Sequence, residues 1–297
     1  MTYDKISFFD AAAANKTKSV VLLVFLFLFY LVVLFVFSYV FELGVLGFIL
    51  GVFSLFFYAL ITYYAGDQIL LSLSGAKKIE QKDFPYIFNT VEGLALAAQI
   101  STPQIYLISD DSPNAFATGR DPAHSALAMT TGLLQLLNRE EIEGVIAHEM
   151  SHIANFDIRM TMIATVFGAS IALLSGIATR MLWFGGGRRD RDRGSGGLAL
   201  LGILFLILAP IFAQLAQLAL SRQREYLADT TGARMIRNPN ALANALEKIG
   251  KSNVPLENVT DATAGLYFAL PKANGFFQLF ATHPPIEERI KRLRGMY

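Results

Sequence analysis

Residues 148–152, His148-Glu149-Met150-Ser151-His152, set two histidines four positions apart with a glutamate beside the first. On a helix, four steps of about 100° nearly close the turn, so both imidazoles project from one face and can grip one metal ion from adjacent turns. Glu149 then stands where a carboxylate can take a proton from a water at that metal. The flanking residues predict the helix itself. Asn138 followed by Glu141 is an N-cap with its partner three residues on, and Ile142, Val145, Ile146 and Ile153 mark an apolar stripe with Glu149 and His152 on or beside it. An ordinary amphipathic helix with this sequence would bury a carboxylate without a partner, at a cost of roughly several kcal/mol, and a metal removes that cost.

Composition says where such a helix works. Of 297 residues 54% are hydrophobic and 16% charged, against roughly 25% charged in soluble proteins, and this is the balance of a membrane protein. A net charge of +1 with no basic, aromatic-laced stripe excludes a general nucleic-acid surface. The absence of cysteine excludes disulfides and thiolate metal sites.

Outward from the histidines, the chain divides by hydropathy. Residues 1–18 read as a polar cytoplasmic tail with Lys5, Lys16 and Lys18. Ser19 to Phe41 and Leu43 to Tyr64 are uncharged runs of about 23 and 22 residues, each long enough to span a bilayer, so 19–64 is a transmembrane hairpin. The first run is too long for a signal-peptide core and lacks a cleavage site, which makes it a retained anchor. Residues 65–159 read as the first part of a catalytic domain ending in the metal helix. Met160 to Thr179 and Leu198 to Leu220, about 20 and 23 residues, make 160–220 a second apolar hairpin around an Arg- and Gly-rich loop, 185–197. Residues 221–297 return to soluble composition. Lysines and arginines flank the runs on the catalytic side (Lys77, Lys78, Lys82, Arg159, Arg222 and Arg224 besides the tail) and outnumber the four arginines of the loop, so the catalytic side is expected to be cytoplasmic.

Within the soluble parts, Phe84, Ile87, Phe88, Val91 and Leu94 predict a helix. Gln104 to Ser109 and Ser125 to Thr130 predict strands, and Asn114 to Thr118 a short edge strand. Leu133 to Leu137 is helical, Asn238-Pro239 opens a helix to about Ile249, a polar linker runs to about Thr263, and Pro284-Pro285 opens a last helix ending near Gly295. His124 falls in a Pro-containing loop and is expected to be exposed.

A catalytic zinc takes three protein ligands and one open position. Asp157, five residues after His152 near the end of the same helix, would need a sharp bend back. Glu225 lies on a helical continuation of the fourth apolar segment, sharing one face with Leu218, Arg222 and Asp229. Topology favours Glu225, because the third apolar segment leaves the metal helix and the fourth returns just before it. Asp229, one turn on, could accept a hydrogen bond from a ligand histidine, an orienting part that Asp157 could also play.

HEMSH, Ser221-Arg222-Gln223-Arg224-Glu225 with Asp229, Asn114-Ala115-Phe116-Ala117-Thr118-Gly119 and Thr282-His283-Pro284-Pro285 together resemble the HtpX-type membrane metalloproteases, relatives of the CAAX prenyl endopeptidases. The resemblance runs over essentially the whole chain. It implies a mainly α integral membrane protein with four apolar membrane helices and a cytoplasmic, zincin-like (gluzincin) α+β catalytic domain with a small sheet. It implies one zinc ion on His148, His152 and Glu225, with Glu149 as general base. It also implies an endopeptidase of the bacterial inner membrane that clears damaged or misfolded membrane proteins, with protein substrates and the lipid bilayer as its partners. Asn114, Ala115, Phe116 and Ala117 would be the edge on which a substrate lies, and His283 and Arg289 would bind substrate or oxyanion. A zinc hydrolase of a non-peptide substrate and a membrane scaffold with structural zinc are the alternatives. The edge strand speaks against the first; Glu149 and a three-ligand site speak against the second.

Overall fold

The structure, a computed structural model, describes residues 8–184, 203–209, 224–252, 254 and 284–296. The loop 185–197, most of the fourth apolar run with Leu218 and Arg222, most of the linker to Thr263, and His283 lie outside the described residues.

Helix α1 (Phe8–Val40) begins well ahead of the apolar run, because Ala11 to Ala14 adopt helix with no loss of side-chain freedom. It turns through Phe41-Glu42-Leu43 into α2 (Gly44–Leu73). Glu42 and Gly44 hold left-handed φ of 56° and 65° there, and the Ser38 hydroxyl donates to the Gly44 carbonyl at 2.8 Å. Gly44–Ile61 is an 18-residue window of mean hydropathy 2.3 with 6% of it buried. Among the described residues it is the one helix long and apolar enough to cross a membrane, and Phe27–Val40 is a shorter apolar stretch beside it. Val45, Leu46, Phe53 and Phe56 stand exposed on it, an apolar surface that water-soluble domains do not leave open.

Helix α2 does not stop at Tyr64, where the apolar run stops. It continues to Leu73 and enters the soluble domain. After β1 (Lys77–Lys78), α3 (Pro85–Ala98), β2 (Gln104–Ile108), β3 (Ala115–Asp121) and β4 (His124–Thr130) comes a four-stranded sheet in the order β1-β2-β4-β3. β2 runs parallel to β4, while β1 and β3 are antiparallel to their neighbours and form its two ends. β4 begins one residue earlier than expected and takes in His124, which is exposed as expected. The pleat sends alternate residues to opposite faces. Ile105, Ala115, Leu127 and Met129 enter the main core with α3 and the metal helix, whereas Tyr106, Ile108, Phe116, Ala126 and Ala128 meet Leu70 and Leu71 at the end of α2.

Then follow α4 (Thr131–Leu136), α5 (Arg139–Ala154) and α6 (Asp157–Phe184), helical residues 203–209, α7 (residues 224–236), α8 (Pro239–Lys251) and α9 (Ile286–Arg294). α6 packs against α1 and α2 in a separate core of Val33, Leu34, Leu55, Met160, Ile171 and Leu206. α8 lies so close to α5 that a Cβ on Gly144 would come within 2.8 Å of the Leu242 nitrogen. Lys248 of α8 also pairs with the buried Glu141 at 2.7 Å.

Candidate metal centre

α5 starts as its sequence predicts. The Asn138 side chain accepts from the Glu141 N–H and the Glu141 carboxylate from the Asn138 N–H, both at 2.9 Å, which fixes the phase of every residue that follows. That phase buries His148 and Glu149 and leaves His152 partly open. α5 ends at Ala154. Phe156 takes a left-handed φ of 62°, and the chain restarts as α6 at Asp157. The expectation that Asp157 closes the metal helix is therefore corrected: it opens the next one, and the bend turns its carboxylate back toward His152.

α7 brings the other half. Glu225, Asp229 and Gly232 fall at i, i+4 and i+7 on one face of it. At Gly232 the two helices touch: a Cβ there would lie 2.9 Å from the His148 nitrogen and 3.0 Å from the Ala147 carbonyl carbon. The absent side chain allows Glu225 to reach the histidines.

The three donor groups converge. His148 Nε2 and His152 Nε2 are 3.1 Å apart, and Glu225 Oε2 and Oε1 lie 3.6 Å from the first and 3.4 Å from the second. Tetrahedral zinc with bonds of about 2.0–2.1 Å spaces its ligand atoms about 3.3 Å apart, so the donor set fits this ion. His148, His152 and Glu225 could thus hold a metal with all ligand atoms within 4.8 Å of one another.

Each imidazole is oriented from behind. Asp229 Oδ1 lies 3.0 Å from His148 Nδ1 and Asp157 Oδ2 lies 3.0 Å from His152 Nδ1. A Nδ1–H donating to carboxylate leaves the Nε2 lone pair for the metal. Arg289, wholly buried on α9, grips Asp229 with a two-pronged fork, Nε to Oδ2 at 2.9 Å and Nη2 to Oδ1 at 2.7 Å. Its Nη1 is 3.7 Å from Glu225 Oε2.

Without a metal the imidazoles diverge. Burial foremost, with the Arg289 charge adding to it, pushes His148 down to about 4. Burial pulls His152 down as well, but Asp157, Glu225 and Glu149 outweigh it and raise that group to about 9. Burial raises the Asp229 carboxyl, and Arg289 more than reverses this, holding it at about 2.

Of the residues singled out from sequence, His148, Glu149, His152, Asp157, Glu225, Asp229 and Arg289 come together in one buried cluster. Asn114, Ala115, Phe116 and Ala117 lie at the start of the end strand β3, which packs against α5 and α6; Asn114 precedes the strand and is pinned there by its N–H to Thr130 Oγ1 at 2.8 Å. Gly232 was missed, although it continues the Glu225–Asp229 face by one more turn.

Two outcomes follow. Gly232→Ala forces α7 off α5 and should lower zinc affinity at least tenfold, with helix content by circular dichroism unchanged; unaltered zinc affinity would mean the close approach does not set the Glu225 position. Because the His152 imidazolium must lose its proton to ligate, zinc affinity should rise about tenfold per pH unit up to about pH 9. Asp157→Asn removes the charge that holds the proton and should flatten that slope near neutrality, as read by chelator competition.

Comparison with known proteins agrees with this geometry. The family model described as Peptidase family M48 matches residues 81–297, a stretch that contains all seven clustered residues. A protein described as Protease HtpX homolog from Dictyoglomus thermophilum is 45% identical over 291 residues, spanning 98% of this chain and 95% of its own. Another so described, from Streptococcus gordonii, is 44% identical over 295 residues, 97% of this chain and 99% of its own. In fold, the crystal structure of S. mikatae Ste24p superposes with a TM-score of 0.51 at 20% identity, over 88% of this chain and 62% of that one. A zinc-fitting His-His-Glu cluster inside the matched region, with relatives aligned nearly end to end, leaves one conclusion: the chain belongs to peptidase family M48, as a zinc metalloprotease of the HtpX type.

Proposed function

We propose that this protease is a multi-pass protein of the bacterial inner membrane that cleaves damaged or misfolded membrane proteins from the cytoplasmic side. One observation carries the reading: the zinc-fitting cluster is built where helices with exposed apolar faces run into the catalytic domain. In this reading 19–64 and 160–220 each cross and return, residues 65–159 and 221–297 together make the catalytic domain, and residues 1–18 share its side.

His148, His152 and Glu225 are assigned as the ligands. Zinc, when bound, supplies a Lewis acid that polarises the scissile carbonyl and makes a water acidic enough to react near neutral pH. Glu149, buried beside His148, takes the proton of that water and later gives it to the leaving amine. Asp157 and Asp229 keep the imidazoles in register. Arg289 is assigned as a positioning residue acting through Asp229, since both prongs of its fork are spent there. His283 keeps the role of binding substrate or oxyanion.

The substrate is assigned to the outer edge of β3, the end strand of the sheet among the described residues. Asn114, Ala115 and Phe116 are buried and Ala117 is partly exposed, so Ala117 is the point of the four from which a peptide would start to pair with the strand. Main-chain pairing suits a protease that must accept many sequences.

In detergent, Glu149→Gln should keep its zinc and lose nearly all cleavage of an unfolded protein, whereas His152→Ala and Glu225→Ala should lose the metal. Near-normal cleavage by a clean Glu149→Gln preparation would remove the base assignment. The topology has its own test, helped by a chain with no cysteine. In intact cells a membrane-impermeant thiol reagent should label Gly187→Cys and spare Lys78→Cys, and the opposite pattern would invert the protein.

A further inference from the structure

We propose that Arg120 and Arg159 form a binding site for the phosphate of an anionic lipid, at the level where the membrane helices enter the catalytic domain. This rests on the reading that α2 and α6 lie in the bilayer. The apolar run of α2 ends at Tyr64 and that of α6 begins at Met160, so these positions mark one boundary from two helices running in opposite directions. Exposed Phe56, Phe57 and Ile61 lead up to Tyr63 and Tyr64, whose rings meet edge to face at 5.1 Å. Paired tyrosines at the end of an apolar helix sit at headgroup depth.

Both arginines are at that boundary. The Arg120 guanidinium of β3 lies 5.4 Å from the centre of the Tyr64 ring. Arg159, on the first turn of α6, donates from Nε to the Arg120 carbonyl at 2.7 Å, with its guanidinium 5.2 Å from the centre of the Phe156 ring. Two cations are thus held together, each against an aromatic face. Among the described residues Arg159 has no carboxylate within ion-pair distance. Asp121 Oδ1 meets the His124 ring and backbone N–H, each at 2.8 Å, and its Oδ2 stands 3.7 Å from Arg120 Nε, too far for a hydrogen bond. Asp67, one helical turn beyond Tyr64, accepts from the Gln68 amide at 3.4 Å. A phosphodiester matches what remains, because a guanidinium pairs with two phosphate oxygens at once and the leaflet facing the catalytic side carries anionic headgroups. A lipid held there would fix the Arg120 end of β3 at the bilayer surface, where a chain leaving the membrane meets the substrate edge.

The test uses the full chain in the Glu149→Gln background, reconstituted in phosphatidylcholine vesicles carrying a trace of spin-labelled phosphatidylglycerol or spin-labelled phosphatidylcholine. The expected spectrum shows a severalfold larger motionally restricted fraction for phosphatidylglycerol. R120Q, which keeps the Arg159 bond to the strand carbonyl, should reduce that preference and R120Q/R159Q abolish it with zinc content unchanged. K251Q, a distant charge, should leave it intact. Equal restriction of the two lipids by the parent protein, or a preference that survives in R120Q/R159Q, would overturn the site. Loss of the preference on adding inorganic phosphate at constant ionic strength would assign the site to free phosphate and overturn the lipid. No restricted fraction for either lipid would remove the bilayer reading itself, a different failure from equal restriction.

Discussion

Burying charge at low cost is the constraint from which the rest of the catalytic half follows. Glu149, Asp157, Glu225 and Asp229 are each at most 5% exposed, and Arg289 is buried with them. Four carboxylates around one guanidinium would repel at close range, and taking each from water costs several kcal/mol. A divalent ion between the imidazoles and Glu225 brings the cluster close to balance. Two of the others are placed where N–H groups meet them: Asp157 and Asp229 behind the histidines, and Asp229 again in the arginine fork. Because these partners come from α5, α6, α7 and α9, the cost of burying charge is also what ties four helices to one point.

The local half of this site was legible in the sequence. HEMSH, its Asn138–Glu141 cap and its apolar stripe are short-range patterns, and the helix forms as they predict, capping box included. Glu225 could be inferred from the order of the apolar runs, without knowing how the helices meet. What escaped were the contacts that depend on a single unusual position. A left-handed Phe156 leaves no mark in composition, so Asp157 was expected on α5 rather than at the head of α6. Gly232 reads as a weak helix residue until the neighbouring helix is in place. The fork between Arg289 and Asp229 joins residues sixty positions apart, and no spacing rule encodes it.

Element ends followed the same division. Hydropathy marks where an apolar run stops and not where a helix stops, so α1 starts earlier and α2 ends later than the apolar runs. β2 and β4 were found close to their limits, because alternation and flanking turns are local, whereas β3 runs on to Asp121 and the two-residue β1 was missed. Their burial on both faces was not foreseen: the small side chains of Ala126 and Ala128 turn away from the metal helix and toward α2.

That last contact joins the catalytic domain to the helix that runs into it. Leu70 and Leu71 close the second face of the sheet over Tyr106, Ile108 and Phe116, and the residue that orients His152 is the first of a helix packed among α1 and α2. A fragment trimmed at the end of the apolar runs would keep Leu70, Leu71 and Asp157 but lose the turns of α2 and α6 that hold them in place. The second face of the sheet and the prop behind His152 thus both depend on helices that continue out of the catalytic domain.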